Sequence, residues 1–309
     1  MSLKQQQVSR RQFLVRGSQT AAGVLAAATV PGSVVQAAPA GKPGSKMRYG
    51  LVTYQWGKDW DLPTLIRNCE TAKVLGVELR TTHAHGVEPS LSAQQRKEVK
   101  KRFADSPVCL VGLGSNERLD SPDPAVLSKA IEATKAFVVC SRDVGGSGVK
   151  VKPNSFHKGV PREKTIEQIG KSLNVLGAFG ADYGQQIRLE VHGQCAELPI
   201  MKAIMDVADH PNVAVCWNSN QQDLKGKGLV HNFNLVKDRL GATTHVRELE
   251  SKSYPYKVLI GLFVKMDYKG WIMLEASSKP KDRVKALAAQ AVLFKKMVAE
   301  AQGTCCDHS

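Results

Sequence analysis

Four short apolar runs in the second half of the chain end in polar groups at a nearly constant interval. Ile187-Arg188-Leu189-Glu190-Val191-His192-Gly193 ends in a carboxylate, an imidazole and a glycine. Asn212-Val213-Ala214-Val215-Cys216-Trp217-Asn218, Thr243-Thr244-His245-Val246-Arg247-Glu248 and Gly270-Trp271-Ile272-Met273-Leu274-Glu275 close in the same manner. From Glu190 the steps to Asn218, His245 and Glu275 are 28, 27 and 30 residues. A barrel of about 250 residues divides into eight strand-helix units of roughly 31 residues, and its functional groups leave the C-terminal ends of the strands. The register therefore constrains the chain to an α/β fold, a (β/α)8 TIM barrel, with Glu190, Asn218, His245 and Glu275 at its mouth as candidate metal ligands.

The rest of the chain supplies the other units. Strands are expected at Met47–Tyr54, Val77–Arg80, Pro107–Leu113 and Gly148–Asn154, ahead of the fifth at Gln186–Val191. Leu62, Leu65, Ile66, Cys69 and Ala72 recur at helical spacing. Ser92 caps a charged helix running to about Phe103, Asp123-Pro124 starts one carrying apolar residues through Val139, and another runs from Arg162 to about Phe179. Further helices fall at about 196–208, 229–240, 256–266 and 282–301. Alternating strand and helix require a parallel sheet. An open doubly wound sheet would also alternate, but no G-x-G-x-x-G turn follows a strand.

Residues 1–40 stand apart as signal and linker. Ser9-Arg10-Arg11-Gln12-Phe13-Leu14, followed by the mild apolar stretch from Ala21 to Val30, resembles a twin-arginine export signal, with cleavage after Ala37 or Ala40. An amphipathic helix or uncleaved anchor is the alternative, opposed by Pro31-Gly32. The resemblance implies a periplasmic or secreted protein exported folded, which favours a metal or cofactor loaded in the cytoplasm. No other stretch reaches the roughly 18 apolar residues of a membrane span. The barrel is expected over 41–301, followed by a disordered tail at 302–309 containing Cys305-Cys306.

The net charge is +15, of which Lys4, Arg10, Arg11 and Arg16 in the signal carry four. The remaining cations are spread over helices, as in Lys97, Lys100, Lys101 and Arg102, with few aromatics between them, so nucleic acid is not the expected partner. A solvated basic outer ring suits anionic cell-wall or polysaccharide surroundings. Seven cysteines include no C-x-x-C pair, and Cys69, Cys109, Cys140 and Cys216 read as buried thiols.

The motifs Glu78-Leu79-Arg80, Arg188-Leu189-Glu190, Cys216-Trp217-Asn218, His245-Val246-Arg247 and Leu274-Glu275 resemble those of the xylose-isomerase-like barrels, over about Met47 to Ala301. The likeness is greatest to exported members described as sugar phosphate isomerase/epimerase. It implies that strands five to eight give Glu, Asp, His and Glu to one divalent ion, Mn2+ first, with Mg2+, Co2+ or Zn2+ as alternatives. Glu190, His245 and Glu275 match; Asn218 stands where the family usually has Asp. A neutral carbonyl there lowers the site charge from −3 to −2 and weakens affinity for a hard dication. His192, on the same strand face as Glu190, and Asp223 are replacement candidates.

A hard ion binding the carbonyl and hydroxyl oxygens of a sugar stabilises the enediolate left by proton removal. Glu190 and Glu275 are the candidate acid and base. Return of the proton isomerises or epimerises a carbohydrate substrate, whereas expulsion of a glycosidic oxygen gives a 3-keto-glycoside lyase or hydratase. An endonuclease-IV-like phosphodiesterase needs more His and Asp ligands than these strand ends supply. A glycan-binding barrel without turnover is the non-enzymatic alternative, and Glu190 and Glu275 would then be helix caps. His83, His85, Lys152, His192 and Arg247 are the substrate-side candidates, with His157 flanking strand four. Arg80 and Arg188 read as ion-paired charges near the mouth. Trp56 and Trp60 suit either sugar stacking or helix packing. Barrels of this type often dimerise, so a homodimer is a further expectation.

Overall fold

The structure is a computed structural model that describes residues 41–306. The twin-arginine segment and residues 307–309 lie outside the described residues. Among the described residues eight strands alternate with eight α-helices: β1 (Arg48–Val52), α1 (Leu62–Thr71), β2 (Gly76–Arg80), α2 (Ala93–Ala104), β3 (Cys109–Arg118), α3 (Pro124–Val144), β4 (Gly148–Lys152), α4 (Arg162–Asp182), β5 (Gln186–Glu190), α5 (Leu198–Val207), β6 (Val213–Cys216), α6 (Gly228–Val236), β7 (Thr243–Val246), α7 (Tyr256–Lys265), β8 (Trp271–Leu274) and α8 (Arg283–Cys306).

Every strand pair is parallel, and β1 lies between β2 and β8. The seam between β6 and β7 is joined by Gly241 N donating to Val215 O (2.8 Å), His245 N to Trp217 O (2.6 Å) and Ser219 N to His245 O (3.2 Å). The result is the TIM barrel expected from the strand-end spacing.

The helices start where short polar side chains satisfy otherwise unpaired backbone N–H groups. Asp61 accepts from Thr64 N, Asp123 from Ala125 N, and Ser92 forms a reciprocal capping box with Gln95. Leu65, Cys69, Val77, Val149, Leu173, Leu176, Ile187 and Leu259 are wholly buried between strands and helices. Each large aliphatic side chain there contributes about 1.5–3 kcal/mol.

The floor of the barrel interior is different. Arg188, 1% exposed, reaches from β5 past β4 to β3 and donates from Nη1 to Val111 O (3.2 Å), from Nη2 to Ser147 Oγ (2.8 Å) and from Nε to Gln186 Oε1 (3.1 Å). Gly112 and Gly148 make room for it, since a Cβ on either would lie 2.8 Å from the guanidinium. Arg188 is therefore a hydrogen-bonded floor residue, not an ion-paired charge near the mouth.

Several boundaries move from their expected places, each for a local reason. β3 runs to Arg118 because Ser115 Oγ donates to Lys150 O (2.7 Å) and Arg118 pairs with Lys152, so a polar segment continues the ladder. α3 continues to Val144 and stops at Gly145, whose φ of 92° suits a residue without Cβ. α6 gives way at Lys237–Arg239 to a 3-10 turn, where Arg239 donates to the carbonyls of Met205, Ala208 and Val213. α8 extends to Cys306, so the tail expected from residue 302 is helical up to that point. Cys109 is exposed, contrary to expectation, while Cys69, Cys140 and Cys216 are buried. Among the described residues no helix is long and apolar enough to cross a membrane.

Candidate active site

Consecutive barrel strands bring their terminal residues to one place. Glu190 ends β5, Asn218 follows β6, His245 lies in β7 and Glu275 follows β8. All four are buried, and ligand atoms of Glu190, His245 and Glu275 lie within 4.8 Å of one another. Asn218 Nδ2 donates to Glu190 Oε1 at 2.8 Å and to Glu275 Oε2 at 3.1 Å, joining the two carboxylates. His245 Nδ1 stands 3.7 Å from Glu190 Oε1, and its Nε2 lies 3.1 Å from Glu78 Oε1.

Two charged residues absent from the expected set complete this layer. Lys150 in β4 donates from Nζ to Glu190 Oε2 at 2.7 Å, and Glu78 in β2 holds the far side of the His245 ring. Their signal was a charge inside an otherwise apolar strand. In Gly148-Val149-Lys150-Val151-Lys152 the valines face the helices, which turns both lysines into the barrel.

The charges settle one another. Burial would raise the Glu190 carboxyl, but the Lys150 ammonium and His245 hold it well below the usual carboxylate range. Burial opposes charging of Lys150, yet Glu190, Glu78 and Glu275 raise its pKa. Burial likewise opposes a charged His245, whereas Cys216, Glu78 and Glu190 push its pKa well above the ordinary value. Glu78 remains low despite its burial because His245, Lys150 and Arg188 face it.

The site opens into a cavity of about 310 Å³ at the C-terminal mouth. Of the substrate-side candidates, Lys152, His192 and Arg247 line it, together with Tyr54 and Arg80. Lys152 Nζ donates to Asn116 Oδ1 (2.9 Å); burial and the neighbouring Lys150 lower its pKa to about 8. His192 is set by a turn: Asn154 (φ 72°) and Gly193 (φ 69°) bridge the ends of β4 and β5, and His192 Nδ1 lies 3.1 Å from Asn154 Oδ1. A Cβ at position 193 would lie 2.4 Å from Asn154 O, so the glycine is required. Arg80 stacks over Tyr54 and donates to Asn116 Oδ1 (3.2 Å), which makes it a cavity residue rather than an ion pair.

Other candidates lie elsewhere. His85 does not line the cavity: its Nε2 faces Arg80 O (2.8 Å) and its Nδ1 accepts from Val87 N (3.0 Å), so both ring nitrogens are spent on the backbone. His83 is likewise outside it, between Thr53 Oγ1 (3.1 Å) and Arg80 Nη1 (3.2 Å), and burial and Arg80 push its pKa down to about 4. His157 pairs with Asp120 at 2.9 Å. Asp223 is no replacement ligand, because its Oδ2 accepts from Tyr254 Oη (2.6 Å) and Asn220 N (2.9 Å) away from the cluster. Trp56 and Trp60 are buried in packing, with Trp56 Nε1 donating to Ser278 O (2.9 Å).

The donor set fits a divalent ion. His245 Nδ1 and Asn218 Oδ1 are buried without a hydrogen-bond partner, beside two carboxylates. Buried polar atoms left unpaired in this way are costly unless a ligand takes them up. Glu190, His245 and Glu275 could each offer the ion one ligand atom, and Asn218 could add a neutral oxygen only with its amide turned over, giving up its two bonds to the carboxylates.

A family model described as xylose isomerase-like TIM barrel matches residues 66–296. Among solved structures, L-ribulose 3-epimerase superposes with a TM-score of 0.72 at 13% identity, covering 84% of this chain and 97% of that one. The 3-keto-D-glucoside 4-epimerase of E. coli superposes with a TM-score of 0.68 at 14% identity, covering 81% and 100%. An IolI protein with a bound zinc atom gives 0.68 at 14%, covering 83% and 99%. A comparison with curated protein sequences finds no significant match.

Proposed function

The chain belongs to the xylose isomerase-like TIM barrel family, and from that premise we propose that it is an exported, divalent-metal-dependent sugar isomerase or epimerase. The observation that carries the proposal is the Asn218 amide joining Glu190 and Glu275 beside His245 at the barrel mouth. It holds two carboxylates on one small cavity, the arrangement that proton abstraction next to a carbonyl requires. Glu190, His245 and Glu275 would hold the ion, which when bound supplies the Lewis acidity that stabilises charge developing on the substrate carbonyl oxygen.

Everything else belongs to the chain. Lys150 keeps Glu190 ionised and ready to accept the proton from the carbon next to the carbonyl. Glu275 stands across the Asn218 bridge to return a proton. Return to the same carbon on the opposite face epimerises, and return to the neighbouring carbon isomerises. Arg80, His192 and Arg247 offer donors to the sugar hydroxyls. Sugar epimerases with this fold support the reading.

A second reading, elimination from a keto-glycoside, is favoured by Lys152. An ammonium of pKa about 8 on the cavity wall is suited to protonating a departing oxygen. Export rests on Ser9-Arg10-Arg11-Gln12-Phe13-Leu14. An exported enzyme meets glycans and glycosides more readily than sugar phosphates.

The test is solvent exchange. Incubated in D2O with Mn2+ and either D-fructose or a methyl 3-keto-glucoside, the enzyme should place deuterium on the carbon beside the carbonyl. Glu190→Gln and Glu275→Gln should each abolish exchange and metal retention. Exchange that persists in both variants would remove the proposal.

A further inference from the structure

Next to the site cavity lies a second one, of about 430 Å³, between the loop after β6 and the loop after β7. The two share a wall made of Asn220, Gln222 and Arg247. Both fall at the small end of the size range for ligand sites. We propose that the second cavity is a subsite for a further sugar unit, so that the substrate is a disaccharide or other glycoside whose keto-sugar end enters the first. The inference rests on the proposed function and specifies the substrate class of that same site.

Three observations carry it. The first is the wall itself. Asn220 is fixed, with Nδ2 donating to Val191 O (2.8 Å) and Asn218 O (2.9 Å) and its backbone N to Asp223 Oδ2 (2.9 Å). Gln222 and Arg247 differ: among the described residues their side chains have no hydrogen-bond or ion-pair partner. A rigid post flanked by an uncommitted amide and an uncommitted guanidinium is suited to the hydroxyls around a glycosidic link.

The second is the lining. Hydroxyl and amide groups of the two loops, including Ser219, Ser253 and Gln221, surround the rings of Tyr254 and Tyr256, whose centroids lie 4.8 Å apart. A sugar presents hydroxyls at its rim, which these donors and acceptors answer, while the two buried rings form the back of the cavity.

The third is the effort of construction. Asp223 is wholly buried behind the wall and accepts from both Tyr254 Oη and Asn220 N, while its Oδ1 has no partner. An unpaired buried carboxylate oxygen costs stability. Here it positions one ring of the second cavity and the post shared with the first.

The experiment compares D-fructose with lactulose, a disaccharide that carries a second hexose on the same ketose. Binding to the metal-loaded full chain is measured by titration calorimetry, and exchange at C3 in D2O is followed in parallel. The expected affinity ratio of lactulose to D-fructose is about 10 or more in the wild type, falling to about 1 in Ser253→Trp, which fills the cavity, and by no more than about threefold in Ser253→Ala, which removes one hydroxyl and keeps the space. A ratio near 1 in the wild type, with both sugars bound, would overturn the subsite and leave proton abstraction in the first cavity standing. A high ratio that survives Ser253→Trp overturns its location. Binding of neither sugar removes the site reading, and the inference falls with it.

Discussion

Lys150 and Glu190 form an ion pair of 2.7 Å inside the barrel, each side chain 2% exposed. Removing one partner from such a pair leaves a buried charge without its main counter-charge, at a cost of about 3–5 kcal/mol. Lys150→Met should destabilise the chain by that amount in urea unfolding with chelator present. Adding Glu190→Gln removes the stranded charge, so the double variant should recover most of the loss. A single variant as stable as wild type would show that the pair is not maintained.

Asn218 separates two carboxylates with a neutral amide, and Asn218→Asp would replace two charge-assisted donor contacts by repulsion. The metal-free variant should be less stable by roughly 1.5–3 kcal/mol. A third carboxylate also strengthens the site for a hard dication. Mn2+ affinity should rise at least about tenfold, and the thermal shift caused by saturating Mn2+ should exceed that of the wild type. Calorimetric titration and melting curves with and without Mn2+ test both halves. A variant with lower Mn2+ affinity would show that position 218 faces no ion.

The interval between strand ends made the barrel legible, and with it the convergence of Glu190, Asn218, His245 and Glu275, because a parallel strand must deliver its last side chain to the common mouth. Glu78 and Lys150 were harder to read. Charges in the middle of a strand look like errors in an apolar run until the partners across the barrel are known, and those partners come from strands 40 and 167 residues away in sequence. His85 shows the converse. Loop position made it a candidate, yet the turn folds it back onto Arg80 O and Val87 N. Arg188 was misplaced because the alternation that puts Glu190 at the mouth also puts the residue two before it one layer deeper.

Lys152 supplies a pH dependence with a definite sign. Its pKa is about 8 in the fold, against about 10.4 in an unfolded chain. Between those values the unfolded chain binds more protons, so stability rises with pH. The penalty is full below about pH 8 and is relieved as pH climbs toward 10. Lys152→Met carries no such proton, so its stability relative to wild type should be greatest at pH 7 and fall by pH 10 in urea unfolding. If the ammonium donates to a departing oxygen, turnover of a keto-glycoside should decline above about pH 8. Lys152→Arg, which stays charged but cannot give up the proton, should lose most of that turnover at every pH; an unchanged rate and profile would exclude Lys152 as the donor.

Gly148 tests the floor beneath the site. A Cβ there would lie 2.5 Å from Gln186 O and 2.8 Å from Arg188 Cζ. The first contact is with backbone that the β4–β5 register holds in place, since Gly148 pairs with Gln186. The second is with a side chain held by three hydrogen bonds. Gly148→Ala should therefore cost about 3 kcal/mol, at the upper end for overpacking. Arg188→Ala removes the second contact and leaves the first, so combining the two substitutions should cost less than their sum by at least about 0.5 kcal/mol. Strict additivity in urea unfolding would show that Gly148 answers only to the neighbouring strand. Sub-additivity would establish that the glycine in β4 makes room for the guanidinium passing over it.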